Sequence, residues 1–230
     1  ALRINEVLEA GENIKDPENP VNPDTELKGS VRFDNVSFKF AGSENPILSN
    51  INFEAKQGEI TAIIGSTGSG KSTLINMIPR LFDATEGSVL VDGINVKDYR
   101  QKDLREKISF IPQKSLLFSG TIAENLKFGN ENADEEKIYK ALETAQAKDF
   151  VTEMPDGINS AVDQGGVNFS GGQKQRLSIA RAIIKDAEVY IFDDSFSALD
   201  FNTDFKLRKA IKQDLKDSTV IIVAQRIGTV

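Results

Sequence analysis

The stretch that most constrains this chain is GSTGSGKS at residues 65–72. It follows the strand-like run EITAII at 59–64 and opens a helix-like run at 71–81. A glycine, four residues, then Gly-Lys-Ser between a strand and a helix is the Walker A phosphate-binding loop. Charge explains the residue types. Gly65, Gly68 and Gly70, with Ser66, Thr67 and Ser69 among them, let successive backbone N–H groups turn inward around phosphate oxygens. The helix that begins there adds the positive end of its dipole. Lys71 supplies a point charge for the β- and γ-phosphates, Ser72 offers a hydroxyl to Mg²⁺, and Thr73 follows in the same turn.

The rest of the composition narrows what such a loop serves. At 230 residues the chain holds one large domain or two small ones. No apolar run reaches the roughly 18 residues of a membrane span. The start, ALRINEVLEAG, lacks the basic and apolar regions of a signal peptide, and its first residue, Ala1, fits a segment of a longer chain. Cysteine is absent, which excludes disulfides and thiolate metal sites and suits a reducing cytoplasm. Histidine is absent too, so any general base or switch residue is something other than imidazole. A net charge of −7 argues against a non-specific nucleic-acid binder.

Residues 11–29 carry three prolines and many charges and read as a linker. From Val31 the pattern alternates: Val31 and Phe33, then, after a slip at Asn35, Val36, Phe38 and Phe40, the period of a half-buried strand. ILSNINFEA is a second strand, and SVLVDGIN a short hairpin turning at Asp92 and Gly93. The mixed charges of RQKDLREK at 100–107 read as a solvated helix face. ISFI at 108–111 is a strand ended by Pro112, and from Gln113 to Lys185 the pattern turns helical. One helix places Ile138, Leu142, Ala145 and Phe150 near one stripe, and another starts at Ser170 as N-cap and runs to Ile184. VYIF at 189–192 is a buried parallel strand, a helix covers 203–215, and TVIIV at 219–223 is the last strand. Strands flanked by helices imply an α/β core, mixed but largely parallel, with a helical insertion. Ligands in such sheets bind at the carboxyl ends of the strands, where Gly65, Gln113, Asp193 and Gln225 all fall.

At that edge Asp193 is placed to hold Mg²⁺, and Asp194 to polarise an attacking water, although Asp is one methylene shorter than Glu. A second anion site appears in NFSGGQKQRLSIARAI, where Ser170, Gly171 and Gly172 open a helix. One nucleotide does not need two phosphate sites so far apart in sequence. The economical reading is that the second closes on the nucleotide of a partner.

Together GSTGSGKS, FSGGQ, VYIFDD, SALD and the isolated Gln113 resemble the nucleotide-binding domain of an ATP-binding cassette (ABC) transporter, over nearly all of residues 29–230. The resemblance implies a RecA-like P-loop NTPase with an antiparallel β subdomain and an inserted helical subdomain. It further implies a core at 29–112 and 186–230, a helical part at about 113–185, and a linker at 1–28 that follows a transmembrane domain of the same polypeptide. It places the domain at the cytoplasmic face of the membrane and implies ATP and Mg²⁺. Two domains would sandwich ATP head to tail, the phosphate loop of one against Ser170, Gly171, Gly172 and Gln173 of the other. Phe40 lies where the family stacks an aromatic on adenine, Gln113 matches the glutamine that touches Mg²⁺, and Asp200 matches the loop that crosses the dimer interface. The run SLLFSGTIAENLKFG resembles exporters rather than importers.

Two departures stand out. Asp194 replaces the family's catalytic Glu, and Val223-Ala224-Gln225-Arg226 replaces a switch that carries His. A glutamine still donates a hydrogen bond but carries no proton at neutral pH. The pattern resembles the degenerate-site subunit of a heterodimeric multidrug-type exporter, with slow hydrolysis on its own loop and a signature lent to the partner. Asp163-Gln164-Gly165-Gly166 also departs from the pair common in exporters, and the end at Val230 suggests a truncated C-terminal portion. The alternatives are a homodimeric exporter in which Asp194 works, a soluble ABC ATPase acting on DNA or ribosomes, and a nucleotide-gated structural module.

Overall fold

The computed structural model describes residues 14–21 and 27–225. Much of the expected linker, at 1–13 and 22–26, and the final residues 226–230 lie outside the described residues. Strands β1 (Val31–Phe38) and β2 (Leu48–Ala55) pair antiparallel, and the slip read at Asn35 is a bulge, with Asn35 at φ 50°. β3 (Ile60–Ile64) then leads through the glycine loop into α1 (Lys71–Asn76). This helix is shorter than the 71–81 expected. Pro79 lies within that span, and Arg80 sits in the left-handed region at φ 53°.

β4 (Glu86–Val91) and β5 (Ile94–Asn95) form the expected hairpin, with Asp92 and Gly93 both at positive φ as a type I′ turn requires. α2 (Gln101–Lys107) runs directly into β6 (Ile108–Ile111). Its face is only partly solvated. Leu104 is buried, Arg105 donates to the Pro79 and Arg80 carbonyls, and Lys107 bridges Asp92 and Glu188 at 2.9 Å each.

The insertion opens with the short strand β7 (Gly120–Thr121) and α3 (Ile122–Lys127). The single helix expected next is two, α4 (Glu135–Thr144) and α5 (Lys148–Thr152), broken where Gln146 takes φ 56°. β8 (Ala161–Val162) pairs with β7, and α6 (Gly171–Ile183) starts at its Ser170 cap as expected. β9 (Val189–Asp193), α7 (Phe201–Asp214) and β10 (Thr219–Ala224) follow, α7 starting two residues before the expected 203 because Asp200 caps it.

Two four-stranded sheets result, an antiparallel one in the order β2-β1-β4-β5 and one in the order β3-β10-β9-β6 whose pairs are all parallel. Period-2 alternation makes the parallel sheet a partition between two cores. Val189, Ile191, Ile221 and Val223 pack with α1 and the antiparallel sheet. Tyr190, Phe192, Val220 and Ile222 pack with α6, α7 and the insertion.

Residues 14–21 are not free of the body. The Asp16 carboxylate accepts from the backbone N–H of Gln101 at 2.9 Å and its side-chain amide at 3.1 Å, and Val21 N–H donates to Asp98. Asp16 thus supplies the N-terminal cap that Arg100 does not give α2.

Candidate nucleotide site

Parallel pairing brings the ends of β3, β6, β9 and β10 to one edge, and an open cleft of about 210 Å³ lies there. Its lining includes Thr67, Lys71, Ser72, Gln113, Asp193, Asp194 and Gln225. Gly68, Gly70 and Thr73 line it as well. Gly70 must be glycine for two reasons. It caps α1 in the left-handed region at φ 85°, and a Cβ there would stand 2.9 Å from a Leu48 methyl and 3.3 Å from the Ile47 carbonyl oxygen.

Lys71 folds over the loop, its Nζ donating to the carbonyls of Gly65 and Ser66 at 2.7 Å each and to Ser69 Oγ at 3.4 Å. Three neutral oxygens hold a full positive charge in a cleft. That arrangement suits an ammonium whose anionic partner comes with a ligand. Across the loop Ser72 Oγ donates to Asp193 Oδ1 at 3.3 Å. Asp193 is 8 % exposed, and burial pushes its carboxyl above the ordinary range, only partly opposed by Ser72 and Lys71 and reinforced by neighbouring Asp194. A divalent cation would relieve that charge. Among the described residues no group of three Asp, Glu, His or Cys side chains is placed to hold a metal ion. Mg²⁺ suits one carboxylate and a hydroxyl completed by phosphate oxygens and water, and Ser72, Asp193 and Gln113 fit that role.

Asp194 lies at φ 48°, a left-handed backbone that Asp tolerates better than longer side chains, with its N–H held by the Val223 carbonyl at 3.1 Å. One oxygen, Oδ2, accepts two amides: Gln113 Nε2 at 3.0 Å and Gln225 Nε2 at 2.9 Å. The other end of the Gln225 amide faces the phosphate loop, where Thr67 Oγ1 donates to its Oε1 at 3.5 Å. Three loops therefore meet on one carboxylate. Ser195 was missed from sequence. Its buried hydroxyl donates to the Ile111 carbonyl at 2.9 Å and so ties the ends of β6 and β9 together, and a lone serine beside two acids gives no signal of it.

The remaining expected residues stand apart from the cleft. Phe40 falls beyond the end of β1 rather than within it, 42 % exposed, with its ring edge-on to Phe38 and Phe82. Ser170 and Gln173 form a reciprocal capping box on α6, while Gly171 and Gly172 occupy its first turn. Asp200 accepts from Thr203 N–H at 3.0 Å, and the Thr203 side chain together with that N–H holds its carboxyl below the ordinary range. The two segments are neighbours, since a Cβ on Gly172 would lie 3.4 Å from the Ala198 carbonyl oxygen.

Comparison with known proteins agrees with this fold. The family model described as ABC transporter matches residues 48–197. An uncharacterized ABC transporter ATP-binding protein of Mycobacterium tuberculosis is 47 % identical over 99 % of this chain and 39 % of its own length. A Staphylococcus aureus protein provisionally named a multidrug export ATP-binding/permease protein is 42 % identical over 88 % of this chain and 35 % of its own. A solved structure of a bacterial Atm1-family ABC exporter with ATP bound superposes with a TM-score of 0.92 at 31 % identity, over 99 % of this chain and 40 % of that one. The chain thus spans about two fifths of the length of these relatives. Similarity of that extent decides the family, and the chain belongs to the ABC transporters, as an ATP-binding domain of the exporter type.

Proposed function

We propose that this chain is the ATPase domain of a heterodimeric exporter, with a slow site on its own phosphate loop and a signature motif lent to a faster site on a different subunit. The observation that carries this reading is the contrast within one cleft. Lys71, Ser72 and Asp193 are arranged to take a magnesium-bound triphosphate, whereas Asp194 is short and already shared by two amides that carry no titratable proton. Residues 65–73 would cradle the phosphates, Phe40 would stack on the base, and Ser72, Asp193 and Gln113 would hold Mg²⁺, whose charge would offset that developing on the phosphates. Ser170, Gly171, Gly172 and Gln173 complete the partner's site, and Asp200 sits at the dimer interface. The exposed, capped start of α6 supports that role, since none of those residues lines this chain's own cleft.

On this reading the core is 29–112 and 186–230, the helical part is about 113–185, and the segment before residue 29 leads to a transmembrane domain in the same polypeptide. The domain then works at the cytoplasmic face, where ATP-driven closure of the dimer energises efflux. Lys71→Ala is expected to weaken nucleotide binding at this chain's site. Ser170→Arg is expected to leave that binding intact and to reduce the partner's turnover by at least about 10²-fold, the scale of losing positioned phosphate contacts. Nucleotide binding and phosphate release, measured on the co-expressed pair, separate the two. Robust turnover by this protein with no partner, abolished by Asp194→Ala, would instead establish a homodimer with a working Asp194.

A further inference from the structure

We propose that Asp194 sets how this site discriminates ATP from ADP, by fixing which end of the Gln225 amide faces the phosphate loop. This rests on the cleft being the ATP site. A carboxylate only accepts hydrogen bonds, so the end of Gln225 that meets Asp194 Oδ2 at 2.9 Å is the NH₂. The carbonyl oxygen Oε1 is thereby turned toward Thr67 in the phosphate loop. Gln113 donates to the same Oδ2 at 3.0 Å, so the carboxylate also draws a second amide away from the cleft's ligand. Asp194, Gln225, Thr67 and Gln113 thus form a line of side chains across the floor of the cleft.

The charge pattern decides the consequence. A triphosphate whose terminal phosphate approaches Thr67 meets an oxygen acceptor where a donor is wanted. For Gln225 to serve it, the amide must turn, which would present its oxygen to the carboxylate and leave Asp194 with one donor instead of two. A diphosphate that stops short of that point requires no turn. The Asp194 acceptor therefore penalises ATP and leaves ADP untouched. An asparagine in the same place lifts the penalty too, because its amide can turn together with Gln225 and give an NH₂ to the Gln225 oxygen.

The test compares Asp194→Gly with Asp194→Asn by calorimetric titration of the intact protein with MgATP and with MgADP. Glycine deletes the acceptor and accepts φ 48° without strain, and asparagine replaces the acceptor-only carboxylate with an amide that can offer either end and also tolerates that backbone. Asp194→Gly is expected to tighten MgATP about tenfold relative to MgADP, the scale of one charge-assisted hydrogen bond. Asp194→Asn is expected to tighten it to a similar extent, since its NH₂ satisfies the turned Gln225 oxygen. Failure of either variant to tighten MgATP relative to MgADP would overturn the inference. A Gln225→Leu variant in which Asp194→Gly still tightens MgATP tenfold would overturn it as well. Wild-type protein that binds neither nucleotide would remove the ATP-site reading, and this inference with it.

Discussion

Combining Asp194→Glu with Gln225→His should convert a holding site into a turning one. The extra methylene carries the carboxylate about 1.5 Å farther from the backbone. A reach error of about 1 Å is worth on the order of 10²-fold in rate. It also carries the carboxylate away from the point where the Gln113 and Gln225 amides converge at 3.0 and 2.9 Å, freeing an oxygen for water. The backbone opposes the change. Residue 194 lies at φ 48°, where a side chain longer than Asp costs about 1–2 kcal/mol. For a domain of this size that lowers the melting temperature by roughly 2–8 °C.

The double variant should therefore turn over about 10–100 times faster at its own site, from repaired reach and a proton-carrying switch, while melting lower. A new limb should appear in its rate profile near pH 6.5, the ordinary imidazole value, which the wild-type chain cannot show because it has no histidine. Phosphate release by the pair, with the partner's own site inactivated, measures this across pH 5.5–8.5, roughly the span over which imidazole titrates. A double variant that saturates with ATP yet turns over no faster than wild type would refute the reasoning.

Two other outcomes follow from the geometry. Burial raises the Asp193 carboxyl above its ordinary range, so its contribution to stability is present below that range and is lost as pH rises through the raised value. Asp193→Asn should thus melt higher than wild type without nucleotide at neutral pH, with the gap closing below about pH 4, and should lose its thermal response to MgATP. Asp16→Ala should abolish slow hydrogen exchange at the Gln101 amide and loosen α2, read by exchange mass spectrometry, while leaving the cleft's protection unchanged.

Much of the fold was legible because its signals are local. The phosphate loop, the turn at Asp92 and Gly93, and the N-cap at Ser170 each depend on residues within a few positions of one another. The gathering of Gly65, Gln113, Asp193 and Gln225 followed from the rule for parallel sheets. What escaped depends on backbone turns and distant partners. Arg80 and Gln146 leave the helical region with no glycine to announce it. The capping of α2 by Asp16 joins residues 85 positions apart. At 194 the sequence showed a short acid, but the left-handed backbone that favours a short acid there was invisible.

The parity of β9 and β10 has a use in genetics. Neighbouring positions on one strand answer to different halves of the molecule, so temperature-sensitive alleles can be sorted by odd and even residue number. An allele at Ile191 or Val223 should loosen the half that carries the phosphate loop and give a heat-labile loss of nucleotide retention. One at Phe192 or Ile222 should loosen the half that carries α6, so that the domain keeps its nucleotide at the restrictive temperature but fails its partner. Two alleles a single codon apart would then complement different defects.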